Sequence, residues 1–409
     1  MAGPPEPRNA MGVLAALMAY WGFTDALNGA AAPFLAREFG LDDVGIARTF
    51  GWMSMGALGT YAMARAADRT GRRRILLLAL VGLAPLALVS ALAPSLTSYI
   101  VVQIGVMGLR GVLLVVVPVM VAEALPLARR ARGQGVVGLT GSLGAGAAMI
   151  LVAACEDVPG TWRWAWGVAV FGIALLPFTR RSLPESVHFE LAAAAGEVAH
   201  ARIRDLLGPR YRRRTLGVVA LGFLFPLAVS STQSWLIYFP VQHLGIEPLM
   251  TTAVVIAGGA CGLAGFPLGG RLAESWGRRP TFAMASTLYT LAAVAFYHVP
   301  ADFSPHPALG LGLSFAVMGF MSAVATVPLR AASTELFPTA LRATVSGWNA
   351  IAMAAGVVVG YFATSALAAL LGGLAPAVSL LAASMLLAAL VFLLAIPESR
   401  GLELESGPA

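Results

Sequence analysis

Long apolar runs recur along this chain, and they constrain its fold more than any other feature. A membrane-spanning helix needs about 20 mostly apolar residues. Twelve such runs lie near 11–36, 48–67, 75–94, 98–122, 133–155, 164–179, 215–240, 250–270, 281–299, 307–329, 343–371 and 374–396. One long polar segment, 180–214, separates the sixth run from the seventh; it holds eight arginines and four acids. The chain therefore reads as six helices (1–179), a linker (180–214) that accommodates one or two amphipathic helices, and six more helices (215–409). The expected class is an all-α membrane protein with twelve transmembrane helices in two six-helix bundles. Composition agrees: apolar residues make up 58% and charged residues 11%, against roughly 45–50% and about 25% in soluble domains. So few charges cannot cover a water-soluble globule of this size.

Every basic residue is arginine. Without lysine there is no ordinary phosphate-loop ATPase module and no lysine Schiff base, so ATP hydrolysed within this polypeptide does not drive it. An even number of spans puts both ends on one side. With cytoplasmic termini, only Arg37, Arg48 and Arg163 face outward and Arg110 lies within a run; all the other arginines face inward. That is the bias by which basic residues mark cytoplasmic loops, and it accounts for the net charge of +7 without nucleic acid as a partner. The polar, Pro-rich start, and a first run too long for a signal sequence, predict no cleavable signal peptide. Cys155 and Cys261 lie in different runs and predict neither a disulfide framework nor a metal site. The histidines at 188, 200, 243, 298 and 306 show no metal-ligand spacing. No cofactor, metal or catalytic motif is expected, and a monomer is the default.

The halves are related by an internal repeat. After the second run stands Ala67-Asp68-Arg69-Thr70-Gly71-Arg72-Arg73-Arg74; after the eighth, Ala273-Glu274-Ser275-Trp276-Gly277-Arg278-Arg279. A second pair follows the fourth and tenth runs: Glu123-x-x-Pro126-x-x-x-Arg130 and Glu335-x-x-Pro338-x-x-x-Arg342. Transporters are commonly built from such repeats, with the substrate site near the bilayer midplane between them. The Asp68 loop resembles the signature loop of the major facilitator superfamily, and the resemblance covers essentially the whole chain. Pro184-Glu185-Ser186 and Pro397-Glu398-Ser399-Arg400-Gly401 resemble end-of-half motifs of its sugar-porter and metabolite:proton-symporter branches. The stretches Pro209–Thr215 and Glu335–Thr344 are similar to those of niacin- and organic-acid-type symporters. The resemblance implies that the loop residues Asp68, Arg69, Gly71, Arg72, Arg73, Glu123, Arg130, Glu274, Gly277, Arg278, Arg279, Glu335 and Arg342 form a cytoplasmic gate, closed in the outward-facing state. The chain departs from the family pattern in three places. Ala64 stands where the loop usually begins with Gly, the glutamine-rich helix 7 of sugar porters is reduced to Gln233, and the fifth run lacks the Gly-Pro motif of drug antiporters.

Two ionisable residues sit deep in the apolar runs, Asp25 in the first and Arg110 in the fourth, each near the middle. Intramembrane charges are costly and mark function by default; the alternative is an ion pair that only locks two helices. Arginine keeps its proton under nearly all conditions, which leaves Asp25 as the proton carrier. Desolvation and a neighbouring guanidinium act in opposite directions on a carboxyl's proton affinity, so opening a cavity changes it. Two charges about 4 Å apart interact by about 4 kcal/mol at an effective dielectric near 20. Arg110 either answers Asp25 or presents its fork to a substrate carboxylate. Trp21, Asp25 and Asn28 share one face of the first run, and Gln103, Met107 and Arg110 one face of the fourth. These polar stripes should turn from lipid toward a cavity. In the second half Ser231, Gln233, Trp235, Tyr238, Trp348 and Asn349 are candidates for substrate contact, although midmembrane amides also hold helices together.

The expected function is a secondary transporter that moves a small metabolite, an organic anion, by alternating access in symport with protons. The setting is a bacterial inner membrane. A proton-coupled drug or natural-product exporter is the alternative within transport; a non-transporting receptor of the same fold is the alternative of another class.

Overall fold

The computed structural model describes residues 7–156, 158, 160–183, 208, 211–298, 307–337 and 339–398. Most of the 180–214 linker lies outside the described residues, as do Pro184-Glu185-Ser186, Pro338, Ser399-Arg400-Gly401 and the histidines at 188, 200 and 306. The side chains of Asp68, Glu335 and Arg342 also lie outside them.

The described chain is almost entirely helical. Nine helices among the described residues are long and apolar enough to cross a membrane. The other three expected spans are also helical, but the second and sixth are broken. Where the second was expected, α2 (Asp43–Ser54) and α3 (Gly56–Thr70) meet at Met55, after α1 (Pro7–Phe39). Beside the break α3 comes close to a neighbouring helix: a Cβ on Gly56 would lie 2.1 Å from the Ile104 carbonyl. The third to fifth spans are α4 (Arg72–Ala91), α5 (Leu96–Ala124) and α6 (Leu127–Ala154). The sixth is α7 (Thr161–Ala169), a 3-10 turn over Val170–Ala174, and α8 (Leu175–Ser182).

The seventh expected span also breaks, into α9 (Arg212–Gln233) and the short α10 (Tyr238–His243). Then come α11 (Pro248–Leu263), α12 (Gly265–Ser275), α13 (Arg278–Tyr297), α14 (Pro307–Glu335), α15 (Thr339–Leu371), α16 (Leu374–Ala382) and α17 (Ser384–Ala395).

The chain divides into two compact units. The first comprises 1–41 and 52–198; the second comprises 42–51 and 199–409. Within the first unit α1 packs against α6 and α5, and α5 against α3 and α4. Within the second α9 packs against α15, and α14 against α11, α12 and α13. The repeat seen in the loops thus extends to which helices touch. The glycines of the fifth run serve the closest contact of the first unit. A Cβ on Gly144 would lie 1.9 Å from the Ala19 carbonyl, and one on Gly22 would lie 1.9 Å from that of Gly141. Small residues let helix backbones meet where lipid supplies no hydrophobic drive.

Candidate functional site

In the first unit, the two intramembrane charges meet. Arg110 Nη2 lies 2.9 Å from Asp25 Oδ1, and Arg110 Nη1 donates to the Thr24 carbonyl at 3.0 Å. The pair is asymmetric: 8% of the arginine side chain is exposed against 47% of the aspartate. The guanidinium is therefore a fixed, dry counter-charge, while the carboxylate stays open to exchange. Thr24 turns its hydroxyl back onto the Tyr20 and Trp21 carbonyls of its own helix.

A second rung links the same helices. Asn28 Nδ2 donates to Gln103 Oε1 at 3.0 Å, and Gln103 Nε2 donates to Ser90 Oγ at 3.0 Å. The Tyr99 hydroxyl donates to Asn28 Oδ1 at 2.8 Å and accepts from the Trp166 indole at 3.0 Å. Asn28, Gln103 and Tyr99 are buried. The polar stripes of α1 and α5 turn inward as expected, but at this level they meet each other and not open space. The network ties α1 to α4, α5 and α7 about one turn from Asp25. Trp21 and Met107 are half-buried, and Trp21 lies against Gly141 of α6.

In the second unit the candidates spread over several environments. Ser231 is buried and donates to the Gly360 carbonyl at 3.2 Å. Gln233 is half-buried at the end of α9. Trp235 is wholly buried beside Phe50, Tyr238 and Tyr361, and its indole N–H has no partner among the described residues. Tyr238 donates to Asp43 at 3.0 Å. Trp348 is exposed; Asn349 is half-buried, with its side-chain oxygen against Gly222.

The loop motifs are laid out alike in both units. Gly71 and Gly277 take φ of 104° and 109°, a backbone that favours glycine, and each starts a helix. Arg72 pairs with Glu123, joining the two expected motifs of the first half. Arg73 donates to the Arg180 carbonyl at 2.6 Å. Arg69 is exposed, and Arg130 donates to the Leu125 carbonyl at 3.2 Å. In the second half, Glu274 is exposed. The acid at the start of α13 is Glu398, which accepts from the backbone N–H groups of Arg278 (2.8 Å) and Arg279 (3.0 Å). A carboxylate there answers the positive end of the helix dipole. In the sequence Glu398 stands out only as part of a terminal motif.

The Major Facilitator Superfamily model matches residues 12–348 and 267–409. The chain belongs to the major facilitator superfamily. It is therefore a multi-pass membrane transporter, not an enzyme. A probable 4-methylmuconolactone transporter of Cupriavidus pinatubonensis is 24% identical, over 91% of this chain and 86% of that protein. A putative niacin/nicotinamide transporter of Bacillus subtilis is 26% identical, over 85% of each. The xylose transporter XylE of E. coli superposes with a TM-score of 0.74 at 17% identity, over 98% of this chain and 99% of that one. At that identity it attests the fold. The relatives place the chain among metabolite carriers of the superfamily, as its terminal motifs led one to expect.

Three residue groups carry interactions that sequence reasoning did not single out. Glu398 is the first. Glu38 with Arg163 and Trp162 is the second. The third joins Asp43, Tyr238 and His243, of which Tyr238 alone was a candidate, for a different role.

Proposed function

We propose that this transporter moves a small organic anion by alternating access, in symport with a proton carried by Asp25. The observation that carries the reading is the asymmetric Asp25–Arg110 pair. While Asp25 is ionised, it and the Thr24 carbonyl occupy the fork of Arg110. A proton added to the Asp25 carboxylate removes its charge and releases Nη2. A substrate carboxylate then takes that position, since a guanidinium binds carboxylates through two parallel hydrogen bonds. Proton and anion thus bind together, and loss of the proton returns Arg110 to Asp25. The relatives' names support the class, because niacin carries a carboxylate. The loop ties of Arg72 to Glu123 and of Glu398 to the start of α13 hold helix ends on the cytoplasmic side. Arginine distribution supports cytoplasmic termini, and the bacterial relatives support the inner membrane of a bacterium.

The test begins with a thermal-shift screen of the purified protein against small carboxylates, niacin included. A ligand at 100 times its Kd stabilises by about 2.7 kcal/mol, and Arg110→Gln should abolish that shift. The hit is then followed into proteoliposomes. An inward proton gradient should accelerate uptake by wild type severalfold and leave Asp25→Asn unaffected. Uptake indifferent to the gradient, with Asp25→Asn as active as wild type, would sink proton coupling.

A further inference from the structure

The first turns of α2 belong to the second unit, although the helix runs on from Trp52 into the first. One acidic side chain dominates their attachment. Asp43 Oδ1 accepts from the Tyr238 hydroxyl at 3.0 Å and lies 2.9 Å from His243 Nε2. Asp43 Oδ2 accepts from the Leu374 backbone N–H at 3.0 Å. The chain can present that N–H because Gly372 and Gly373 take φ of 79° and 153°. The His243 ring stacks on Phe239, with centroids 5.2 Å apart. At the residue after Asp43, the Val44 carbonyl accepts from the Ser365 hydroxyl at 2.9 Å.

The cluster opens to water through a groove of about 550 Å3. The Asp43 side chain is 15% exposed and that of His243 is 38% exposed. Asp42, just before α2, and Tyr238 of α10 line the same groove; Arg48 of α2 and Glu247, just before α11, are exposed. The end of α15 lines the groove with Ala368 and Ala369, which do not titrate.

We propose that Asp43 and His243 form a second proton-binding site, separate from the Asp25–Arg110 pair, whose occupancy docks the first turns of α2 against α10 and the turn after α15, all within the second unit. With His243 protonated the contact is an ion pair; without that proton it falls to a neutral hydrogen bond. Histidine is the side chain whose charge ordinarily responds to pH in the physiological range, so loss of that proton weakens the docking. On the acid side, burial alone would raise the Asp43 carboxyl. The hydrogen bond and charge of His243, then Tyr238 and the Leu374 amide, outweigh it and hold the carboxyl below its usual range. A lowered carboxyl keeps its contribution until pH falls through that depressed value. Docking is therefore strongest with His243 protonated and Asp43 ionised.

The test needs no substrate, so its outcome is independent of the transport reading. The full chain is placed in lipid nanodiscs in a Cys155→Ser/Cys261→Ser background. The rate at which a polar maleimide labels Ser365→Cys is divided by the rate for the exposed Leu249→Cys, which cancels thiol ionisation. A partly exposed ion pair changes an equilibrium by about two- to fivefold, so the ratio should rise by that factor from pH 5.5 to 8.0. His243→Gln and Asp43→Asn should each give the high ratio at both pH values, and His243→Arg the low ratio at both. A flat ratio in the protein with His243 intact, or a pH step that persists in His243→Gln, overturns the proposal.

Discussion

The two units bury their polar groups in different ways. Among the described residues, Arg110 of the first unit is the one charged side chain that is buried throughout. It is flanked by an amide and hydroxyl ladder through Asn28, Gln103, Ser90 and Tyr99. The second unit buries only neutral groups. There Thr232 bonds Tyr289, Tyr297 donates to the Thr232 carbonyl, Ser234 meets Tyr361 at 2.6 Å, and Thr290 donates to the Ala382 carbonyl at 3.2 Å. A satisfied neutral hydrogen bond is worth about 1 kcal/mol, whereas a buried charge without its partner costs several. The first unit is thus the one whose stability depends on the charge of a single partner. The second unit's buried groups carry no such dependence, and its charged contact of Asp43 with His243 is partly exposed.

The largest expected effect breaks the first unit's pair. Asp25→Leu leaves the Arg110 guanidinium buried with the Thr24 carbonyl. Losing one partner of a fully buried pair costs about 3–5 kcal/mol. Because Asp25 is half-exposed, about 2–3 kcal/mol is expected, read as a lowered melting temperature. The double variant Asp25→Leu/Arg110→Met should recover most of that loss, since apolar groups of similar volume often replace a buried pair without penalty. If the single variant melts with wild type, the guanidinium is not dry and the contrast between the units fails.

The next effect compares the networks directly. Tyr99→Phe strands the Trp166 indole N–H and removes a donor from Asn28, both buried, which should cost about 2 kcal/mol. Tyr297→Phe removes a single donor, that of the Thr232 carbonyl, so about 1 kcal/mol is expected. Thermal melts of both variants check the order. Equal losses would mean that the ladder of the first unit is no more tightly satisfied than the hydroxyls of the second.

How much of this the sequence disclosed depends on the kind of signal. Apolar length exposed the spans, and charge scarcity exposed Asp25 and Arg110, because a lone charge in a twenty-residue apolar run has no ordinary explanation. Periodicity put Asn28 and Gln103 on inward faces, but a face does not name its partner, so their mutual bond was not legible. The helix breaks at Met55 and at 234–237 were hidden for a related reason. Beside the first, Gly56 lies close to the Ile104 carbonyl, which is far away in the chain. Asp43 and His243 were invisible as a pair: each sits near a helix end, where a charge is unremarkable, and two hundred residues separate them. Glu398 was visible only as a motif letter, since a helix cap contributed from the end of the chain leaves no local trace.

The smallest effect belongs to a second pair of acids, Glu38 and Asp43, which stand close in sequence but in different units. Glu38 lies 2.6 Å from Arg163 Nη2 and accepts from the Trp162 indole at 2.6 Å. Arg163 in turn donates to the Ala93 carbonyl at 2.6 Å and sits 4.3 Å over the Trp162 ring. This cluster contains no histidine, and its cation keeps its charge under nearly all conditions. The Glu38 side chain is 36% exposed, so screening limits the pair to below about 1 kcal/mol. Glu38→Gln should therefore lower the melting temperature by only about 1–3 °C, by the same amount at pH 6 as at pH 8. His243→Gln should cost more at pH 6 than at pH 8, because only a protonated imidazole adds charge to the contact with Asp43. A Glu38→Gln loss that shrinks with pH as the His243→Gln loss does would erase the difference between the clusters. The partner of Asp43 would then not be the cause of its pH response.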